Sequence, residues 1–177
     1  MNSTYLVIPG LGNSSQNHWQ TLWEIRFPDN FTRINQENWD SPKCSDWIEK
    51  IEDEVQKRNI SDVVLVAHSL GGAAVTHWAK KYKTPIKAAF LVAPSDCEAE
   101  TYTFETEGFS PIPLEKLPFK SIVVSSSNDY YVAPERAKLF AESWGSEFIN
   151  IGDKDHINAN AGFGEWLEGL ELLEKLD

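Results

Sequence analysis

The fold is decided by the stretch Val63-Val64-Leu65-Val66-Ala67-His68-Ser69-Leu70-Gly71-Gly72. Its first four residues are branched and apolar, which is typical of a strand buried on both faces of a parallel sheet. The residues that follow are rich in small side chains and predict a helix over 70–82. A buried strand that passes directly into a helix is the unit from which α/β folds are built.

The rest of the chain repeats this alternation of short apolar runs and longer amphipathic stretches. The apolar runs predict further strands at 5–8, 31–34, 88–92, 121–124 and 148–151. The amphipathic stretches predict helices at 17–26, 134–144 and 163–176. A further helix is predicted from a cap at Ser45 or Asp46 to about residue 58. We therefore expect one α/β domain over residues 1–177, with a mostly parallel central sheet and helices on both faces.

The stretch from 94 to 119 interrupts the alternation. It holds few periodic apolar residues and contains Gly108, Pro111, Pro113 and Pro118. A loop of this length inside a compact domain is usually functional or mobile. We therefore expect this segment either to serve the function of the protein or to move.

The composition excludes several classes of function. The 177 residues carry a formal net charge of −11, so nucleic-acid phosphates and anionic membrane surfaces would be repelled. Cys44 and Cys97 match no metal-binding spacing, and so few cysteines favour a reducing compartment. No apolar run approaches the roughly 20 residues of a spanning helix, and residues 1–5 do not resemble a signal peptide. These features predict a cytoplasmic protein that binds neither nucleic acid nor membranes.

The turn at Ser69 resembles the G-x-S-x-G nucleophile elbow, with Ala67 in the first glycine position. A strand that turns this sharply into a helix holds its serine at the tip in a strained conformation. Residues two places before and after the serine must then be small, as Ala67 and Gly71 are. The helix begins beneath the serine, so the backbone N–H of Leu70 is a candidate oxyanion donor. The alternative is a serine that only caps the helix, but the strand and helix predicted on either side favour the elbow.

A serine hydroxyl needs a general base, and the chain has four histidines. His68 adjoins the serine and is expected to point elsewhere, His77 lies two turns into the helix, and His18 lies near the first turn. His156 follows the last predicted strand, where the order serine, acid, histidine places the base. The alternative is a solvated loop histidine.

The acid that orients the base is expected after the strand that precedes the last one. Asp129 occupies that position, and Asp96, after the previous strand, is its main competitor. Asp153 and Asp155 are too close to His156 in sequence to reach the correct ring nitrogen. Any loop aspartate also has an ordinary role as a turn or cap residue.

The second oxyanion donor is expected in the loop Pro9-Gly10-Leu11-Gly12-Asn13 after the first strand, and by position we choose the N–H of Leu11. An ordinary glycine turn is the alternative. Gly10-x-Gly12 is a weak match to a dinucleotide fingerprint, because Ser15 stands in the place of the third glycine. No phosphate loop or metal spacing is visible, so we predict no cofactor and no metal.

Several segments together resemble a known family. They are Pro9-Gly10-Leu11-Gly12, His18-Trp19, Ala67-His68-Ser69-Leu70-Gly71, Gly108-Phe109-Ser110-Pro111-Ile112-Pro113, Leu117-Pro118-Phe119, Asn128-Asp129, and Gly152-Asp153-Lys154-Asp155-His156-Ile157-Asn158 with Gly162-Phe163-Gly164. The chain is similar over essentially its whole length to the small α/β-hydrolase-fold serine hydrolases grouped with retinoblastoma-binding protein 9. The resemblance implies a single α/β-hydrolase domain without a large lid domain. It also implies a catalytic triad of Ser69, Asp129 and His156.

These residues predict acyl transfer to water through an acyl-enzyme intermediate, with a small-molecule ester or amide as substrate and esters favoured. Four aromatic residues are candidates for the acyl pocket, although each is also typical of a core: Trp19, Trp39, Phe104 and Phe109. The rival interpretations are a noncatalytic interaction module on a hydrolase scaffold, and a peptidase or thioesterase with the same triad. The sequence identifies no protein partner.

Overall fold

The central sheet has six parallel strands in a computed structural model that describes residues 3–177. The strands are β1 (Thr4–Ile8), β2 (Phe31–Arg33), β3 (Val63–His68), β4 (Ala88–Val92), β5 (Lys120–Ser125) and β6 (Glu147–Asn150). Their order across the sheet is β2-β1-β3-β4-β5-β6, and each neighbouring pair is parallel. The α/β class is confirmed, and the sheet expected to be mostly parallel is parallel throughout.

Among the described residues, five α-helices cover the sheet: α1 (Trp19–Arg26), α2 (Cys44–Gln56), α3 (Leu70–Tyr82), α4 (Pro134–Trp144) and α5 (Leu167–Glu174). Helices α2, α3 and α4 share one core with Val63, Leu65 and Ala67 of β3. Helices α1 and α5 share the other core with Val64 and Val66. Successive residues of a strand point to opposite faces, so the continuous apolar run of β3 supplies both cores.

Most tryptophans of the chain fill these two cores. Trp47, Trp78 and Trp144 are at most 1% exposed on the face covered by α2, α3 and α4. Trp19 and Trp23 are equally buried on the other face. The high aromatic content therefore serves mainly to pack the helices against the sheet.

Three helices begin at other residues than the sequence predicted, and the first of them, α1, begins at Trp19 instead of residue 17. Helix α2 begins at Cys44 with Lys43 as N-cap, and the Ser45 hydroxyl donates to the Asp46 carboxylate instead of capping the helix. Helix α5 begins at Leu167 and not at Phe163. The backbone of Trp166 is left-handed, with a φ of 38°, which breaks the helical path that the apolar spacing predicts.

The segment from 94 to 119 is tied to the domain at several points. Phe109, Ile112 and Leu117 are buried in the core beside α2, α3 and α4. The indole of Trp144 donates to the carbonyl oxygen of Pro113 over 2.7 Å, and the backbone N–H of Leu117 donates to the Trp144 carbonyl. The segment therefore packs over one face of the sheet. In the part of the chain that the structure describes, no helix is long and apolar enough to span a bilayer.

Candidate active site

Ser69 occupies a strained turn between β3 and α3, with φ 57° and ψ −126°. A non-glycine residue rarely adopts this conformation unless its surroundings enforce it. The space around the turn is filled: a Cβ atom at Gly71 would lie 2.7 Å from the Pro9 carbonyl oxygen, and one at Gly10 would lie 2.7 Å from the Ser69 Cβ. Both positions therefore require glycine, and at Gly71 this agrees with the small residue that the elbow interpretation expects.

The structure brings Ser69, His156 and Asp129 together at the carboxyl edge of the sheet. The Nε2 atom of His156 lies 2.8 Å from the Ser69 hydroxyl oxygen. On the other side of the ring, Nδ1 lies 3.0 and 2.9 Å from the two carboxylate oxygens of Asp129. A carboxylate only accepts hydrogen bonds, so Nδ1 carries the proton of the neutral ring, and Nε2 accepts from the serine hydroxyl.

Asp129 is held in place by its own loop, since the backbone N–H of Tyr131 donates to its Oδ1 atom over 2.8 Å. The competing acid, Asp96, faces a different partner. Its Oδ2 atom accepts from Arg136 Nε over 3.0 Å, and its Oδ1 atom accepts from the backbone N–H of Glu98. The carboxylate that contacts the His156 ring is therefore that of Asp129.

The two candidate oxyanion donors lie on the same cleft as Ser69. Leu70 is the first residue of α3, so its N–H has no acceptor within the helix. Leu11 lies in the loop after β1, where the Gly12 N–H donates to the Trp39 carbonyl oxygen over 2.9 Å. This bond ties the Leu11 loop to the segment before α2.

The cleft has a volume of ≈ 360 Å³ and is lined by both aromatic and uncharged polar residues. An aromatic group lines one part, with the rings of Tyr102 and Phe104 5.3 Å apart and those of Phe104 and Tyr131 5.7 Å apart. The uncharged polar residues that line it include Asn13, Ser15, Asn158 and Asn160. Among the described residues, no Asp, Glu, Lys or Arg lines the cleft.

Three of the four aromatic residues expected in the acyl pocket lie elsewhere. Trp19 is fully buried under the sheet, Trp39 packs on Trp47, and Phe109 packs in the core at 1% exposure. Only Phe104 lines the cleft. Aromatic residues are typical of cores and pockets alike, so the sequence alone did not separate the two.

Sequence reasoning missed Ser95, which follows β4. Its hydroxyl lies 2.9 Å from the Ser69 hydroxyl, and the residue lines the cleft. The available signal was its place after β4, a strand that neighbours β3 in a parallel sheet. Tyr102 and Tyr131 line the cleft as well and had no distinctive motif.

His18 and His68 also border the cleft and were assigned no role from the sequence. Burial lowers the pKa of His18 to about 3, with smaller contributions from the charges of Arg33 and His156. Burial, followed by the neighbouring rings of His18 and His156, lowers the pKa of His68 well below its ordinary value. Both rings are therefore neutral near pH 7. The neutral His68 ring donates from Nε2 to the backbone carbonyl oxygen of His156 over 2.9 Å.

A metal site is not apparent: within residues 3–177, no group of three or more His, Cys, Asp or Glu side chains is arranged to hold an ion. The polar groups that line the cleft are hydroxyls, imidazoles and amides, and the buried Asp129 carboxylate bonds the side of the His156 ring away from Ser69. These groups can transfer protons and stabilise an oxyanion without a bound group.

Comparison with known proteins identifies the family of this chain. A family model described as serine hydrolase matches residues 5–175. The structure of a protein described as a YdeN-like hydrolase from Pectobacterium atrosepticum is 32% identical, with a TM-score of 0.87 over 99% of this chain and 90% of the other. No curated protein sequence matches this chain.

Two further solved structures share the fold at low sequence identity. The ydeN gene product of B. subtilis is 20% identical, with a TM-score of 0.83 over 98% of both chains. Est1E from Butyrivibrio proteoclasticus, in a structure with bound ferulic acid, is 12% identical, with a TM-score of 0.69 over 98% of this chain and 86% of the other. At these identities the likeness is one of fold alone.

Proposed function

The chain belongs to the serine hydrolase family, and we propose that it hydrolyses an uncharged carboxylic ester through a triad of Ser69, His156 and Asp129. One observation carries the proposal. The His156 ring bridges the serine hydroxyl, at 2.8 Å, and the Asp129 carboxylate, at 2.9 Å and 3.0 Å. A nucleophile, a base and an acid that orients the base are the three parts that acyl transfer by serine requires.

In the acylation step, the Ser69 oxygen attacks the ester carbonyl while its proton moves to Nε2 of His156. The Asp129 carboxylate stabilises the imidazolium that forms and keeps Nδ1 protonated. The backbone N–H groups of Leu11 and Leu70 stabilise the negative charge on the carbonyl oxygen. When the tetrahedral intermediate collapses, His156 returns the proton to the departing alcohol.

In the deacylation step, water takes the place of the alcohol. His156 removes a proton from the water, whose oxygen attacks the acyl carbonyl and forms a second tetrahedral intermediate. Collapse breaks the bond to the Ser69 oxygen, which recovers a proton from His156. The carboxylic acid then leaves, and the enzyme returns to its starting state.

The lining of the cleft supports an uncharged substrate. Burying a charged group without a partner costs several kcal/mol, and the described lining offers no ionic partner. The aromatic rings of Tyr102, Phe104 and Tyr131 offer an apolar surface to one part of the substrate. An ester is favoured over an amide because an alcohol leaves with less help from an acid.

A panel of model substrates tests the proposal directly. We expect hydrolysis of neutral p-nitrophenyl esters, slower hydrolysis of esters with a charged acyl chain, and little hydrolysis of peptide amides. The Ser69→Ala variant should be inactive on the entire panel. A preference for amides or thioesters would replace the ester assignment. Absence of any Ser69-dependent turnover would favour a noncatalytic interaction module on a hydrolase scaffold.

A further inference from the structure

The loop that carries His156 has an unusual backbone on both sides of the ring. Asp155 and Ile157 have φ values of 45° and 49°, in the left-handed region. This conformation is especially unfavourable for Ile157, because its side chain is branched at Cβ. Such a conformation persists only when the surrounding structure enforces it, and such sites cluster where function requires fixed geometry. We call residues 154–157 the base loop.

The segment after β5 contacts one side of the base loop. The Ser126 hydroxyl oxygen accepts from the backbone N–H of Lys154 over 2.8 Å. The Asn128 side chain bonds Asp155 twice: its Oδ1 atom accepts from the backbone N–H, and its Nδ2 atom donates to the carboxylate. These bonds fix the start of the loop, which precedes the His156 ring.

Contacts from the other side fix the two carbonyl groups at and after His156. The indole Nε1 of Trp19, at the start of α1, donates to the Ile157 carbonyl oxygen over 2.9 Å. The Nε2 atom of His68, the residue before the nucleophile, donates to the His156 carbonyl oxygen over 2.9 Å. Both donors are at least 95% buried, so water cannot readily replace them.

We propose that Trp19 and His68 are positioning residues that hold the base loop so that His156 lies in line with the Ser69 hydroxyl. His68 joins the loop to the nucleophile turn itself, and Trp19 joins it to the first helix. The inference rests on the proposed function, since it assigns these residues a part in the alignment of the same triad. A displacement of about 1 Å in a reacting group is enough to cost roughly a hundredfold in rate.

The chain offers a matched control for Trp19. Trp23 lies one turn later on the same helix, is 1% exposed and packs in the same core. Its Nε1 atom also donates to a backbone carbonyl oxygen, that of Glu165, over 2.8 Å. Trp19→Phe and Trp23→Phe therefore remove the same group from the same helix, but only the first removes a contact to the base loop.

Steady-state kinetics on a neutral p-nitrophenyl ester distinguish a positioning role from a purely structural one. We expect Trp19→Phe to lower kcat by about tenfold or more with KM within about twofold of wild type, because alignment matters most in the transition state. We expect Trp23→Phe to keep kcat within about twofold of wild type. An unchanged kcat in Trp19→Phe, or equal losses in the two variants, would overturn the inference.

Proton NMR supplies a second readout on the same two proteins. The Nδ1 proton of His156, bonded to Asp129, should give a low-field resonance in wild type and in Trp23→Phe. We expect that resonance to broaden or disappear in Trp19→Phe, because a loose base loop lets the ring leave the carboxylate and the proton exchange with water. The same sharp resonance in both variants would contradict the proposal.

A pair of substitutions at His68 tests the other contact and serves also if Trp19→Phe fails to fold. His68→Gln keeps an N–H donor at a similar reach, whereas His68→Leu removes it. We expect a higher kcat in His68→Gln than in His68→Leu, and equal losses would contradict the role of the bond.

The Ser69→Ala variant separates the two proposals. If Ser69→Ala stays active, the proposed function fails. If Ser69→Ala is inactive while Trp19→Phe is fully active, only the inference about the positioning residues fails.

Discussion

The hydroxyl oxygens of Ser95 and Ser69 lie 2.9 Å apart. Because the single hydroxyl proton of Ser69 points to the lone pair of His156, the donor of this bond is Ser95. The contact becomes stronger as the Ser69 proton leaves, since a hydrogen bond to a developing negative charge is about twice as strong as a neutral one. We therefore expect Ser95 to stabilise Ser69 as its hydroxyl loses the proton in the proposed mechanism.

The first prediction concerns this bond. We expect Ser95→Ala to lower kcat/KM by roughly fivefold, since a net hydrogen bond contributes about 1 kcal/mol. Ser125→Ala is the control, because Ser125 is buried at the end of β5 and, within the described residues, its hydroxyl hydrogen-bonds only the Ser126 carbonyl oxygen. The measurement is kcat/KM for ester hydrolysis by the two variants. Equal values for Ser95→Ala and Ser125→Ala would contradict a role for the Ser95 bond.

The second prediction separates the two candidate acids. Asp129→Asn should lower kcat by at least about a hundredfold, because the amide no longer holds the correct tautomer of His156. Asp96→Asn should keep its turnover but lose stability, since it weakens the contact with Arg136. Turnover and thermal midpoints of both variants test this, and a larger catalytic loss in Asp96→Asn would reverse the assignment.

The third prediction concerns pH. Between about pH 3 and pH 6.5 the unfolded chain binds a proton at His18 that the folded chain does not, because burial lowers the pKa of His18 to about 3 in the fold. Above about pH 6.5 neither state binds this proton, so protonation of His18 does not affect stability there. Below that pH, the free energy of unfolding decreases as the pH falls. We expect His18 to add up to about 1.4 kcal/mol per pH unit to the slope of unfolding free energy.

Urea denaturation at pH 7, 6 and 5 measures this slope. His18→Asn is the appropriate variant, because Asn is also a good N-cap residue, and the His18 Nδ1 atom accepts from the Gln20 N–H at the start of α1. The variant should lose less stability than wild type between pH 7 and pH 5. Parallel curves for the two proteins would show that His18 is not the group responsible.

The fourth prediction concerns the aromatic side of the cleft. Phe104 is 41% exposed and lines the cleft, whereas Leu114 is 43% exposed and lies outside it. We expect Phe104→Ala to raise KM several-fold for esters with long or aromatic acyl chains and to leave acetate esters unaffected, because about 25 cal/mol is lost per Å² of apolar contact. Leu114→Ala should leave KM unchanged for both classes of ester. The same KM increase in both variants would contradict the placement of the acyl chain against Phe104.

Much of the fold was predictable from the sequence because the decisive signals are local. Continuous apolar runs mark strands buried on both faces, and the small residues around Ser69 mark a turn that admits no larger side chain. The chain order of serine, acid and histidine then named the three residues that the structure brings together. The sequence did not reveal where α5 begins, since Phe163 continues its apolar spacing and only the left-handed backbone of Trp166 interrupts it.

The remaining features of the site depend on contacts between distant parts of the chain. The His68 ring bonds a carbonyl 88 residues away, and the Trp19 indole bonds one 138 residues away. The local pattern of residue types does not predict which distant residues form hydrogen bonds. For the same reason Trp19, apolar and at helical spacing, was predicted for the acyl pocket when its polar edge is what approaches the site.

The central claim, that Ser69 is a nucleophile activated by His156, is tested most directly by mapping the adduct of a fluorophosphonate probe. Mass spectrometry of the wild-type protein should find one adduct per chain, on the peptide that contains Ser69. His156→Ala should acquire it at least about a hundredfold more slowly, and Ser69→Ala should acquire none. An adduct on another residue, or equal labelling of Ser69→Ala, would contradict the account.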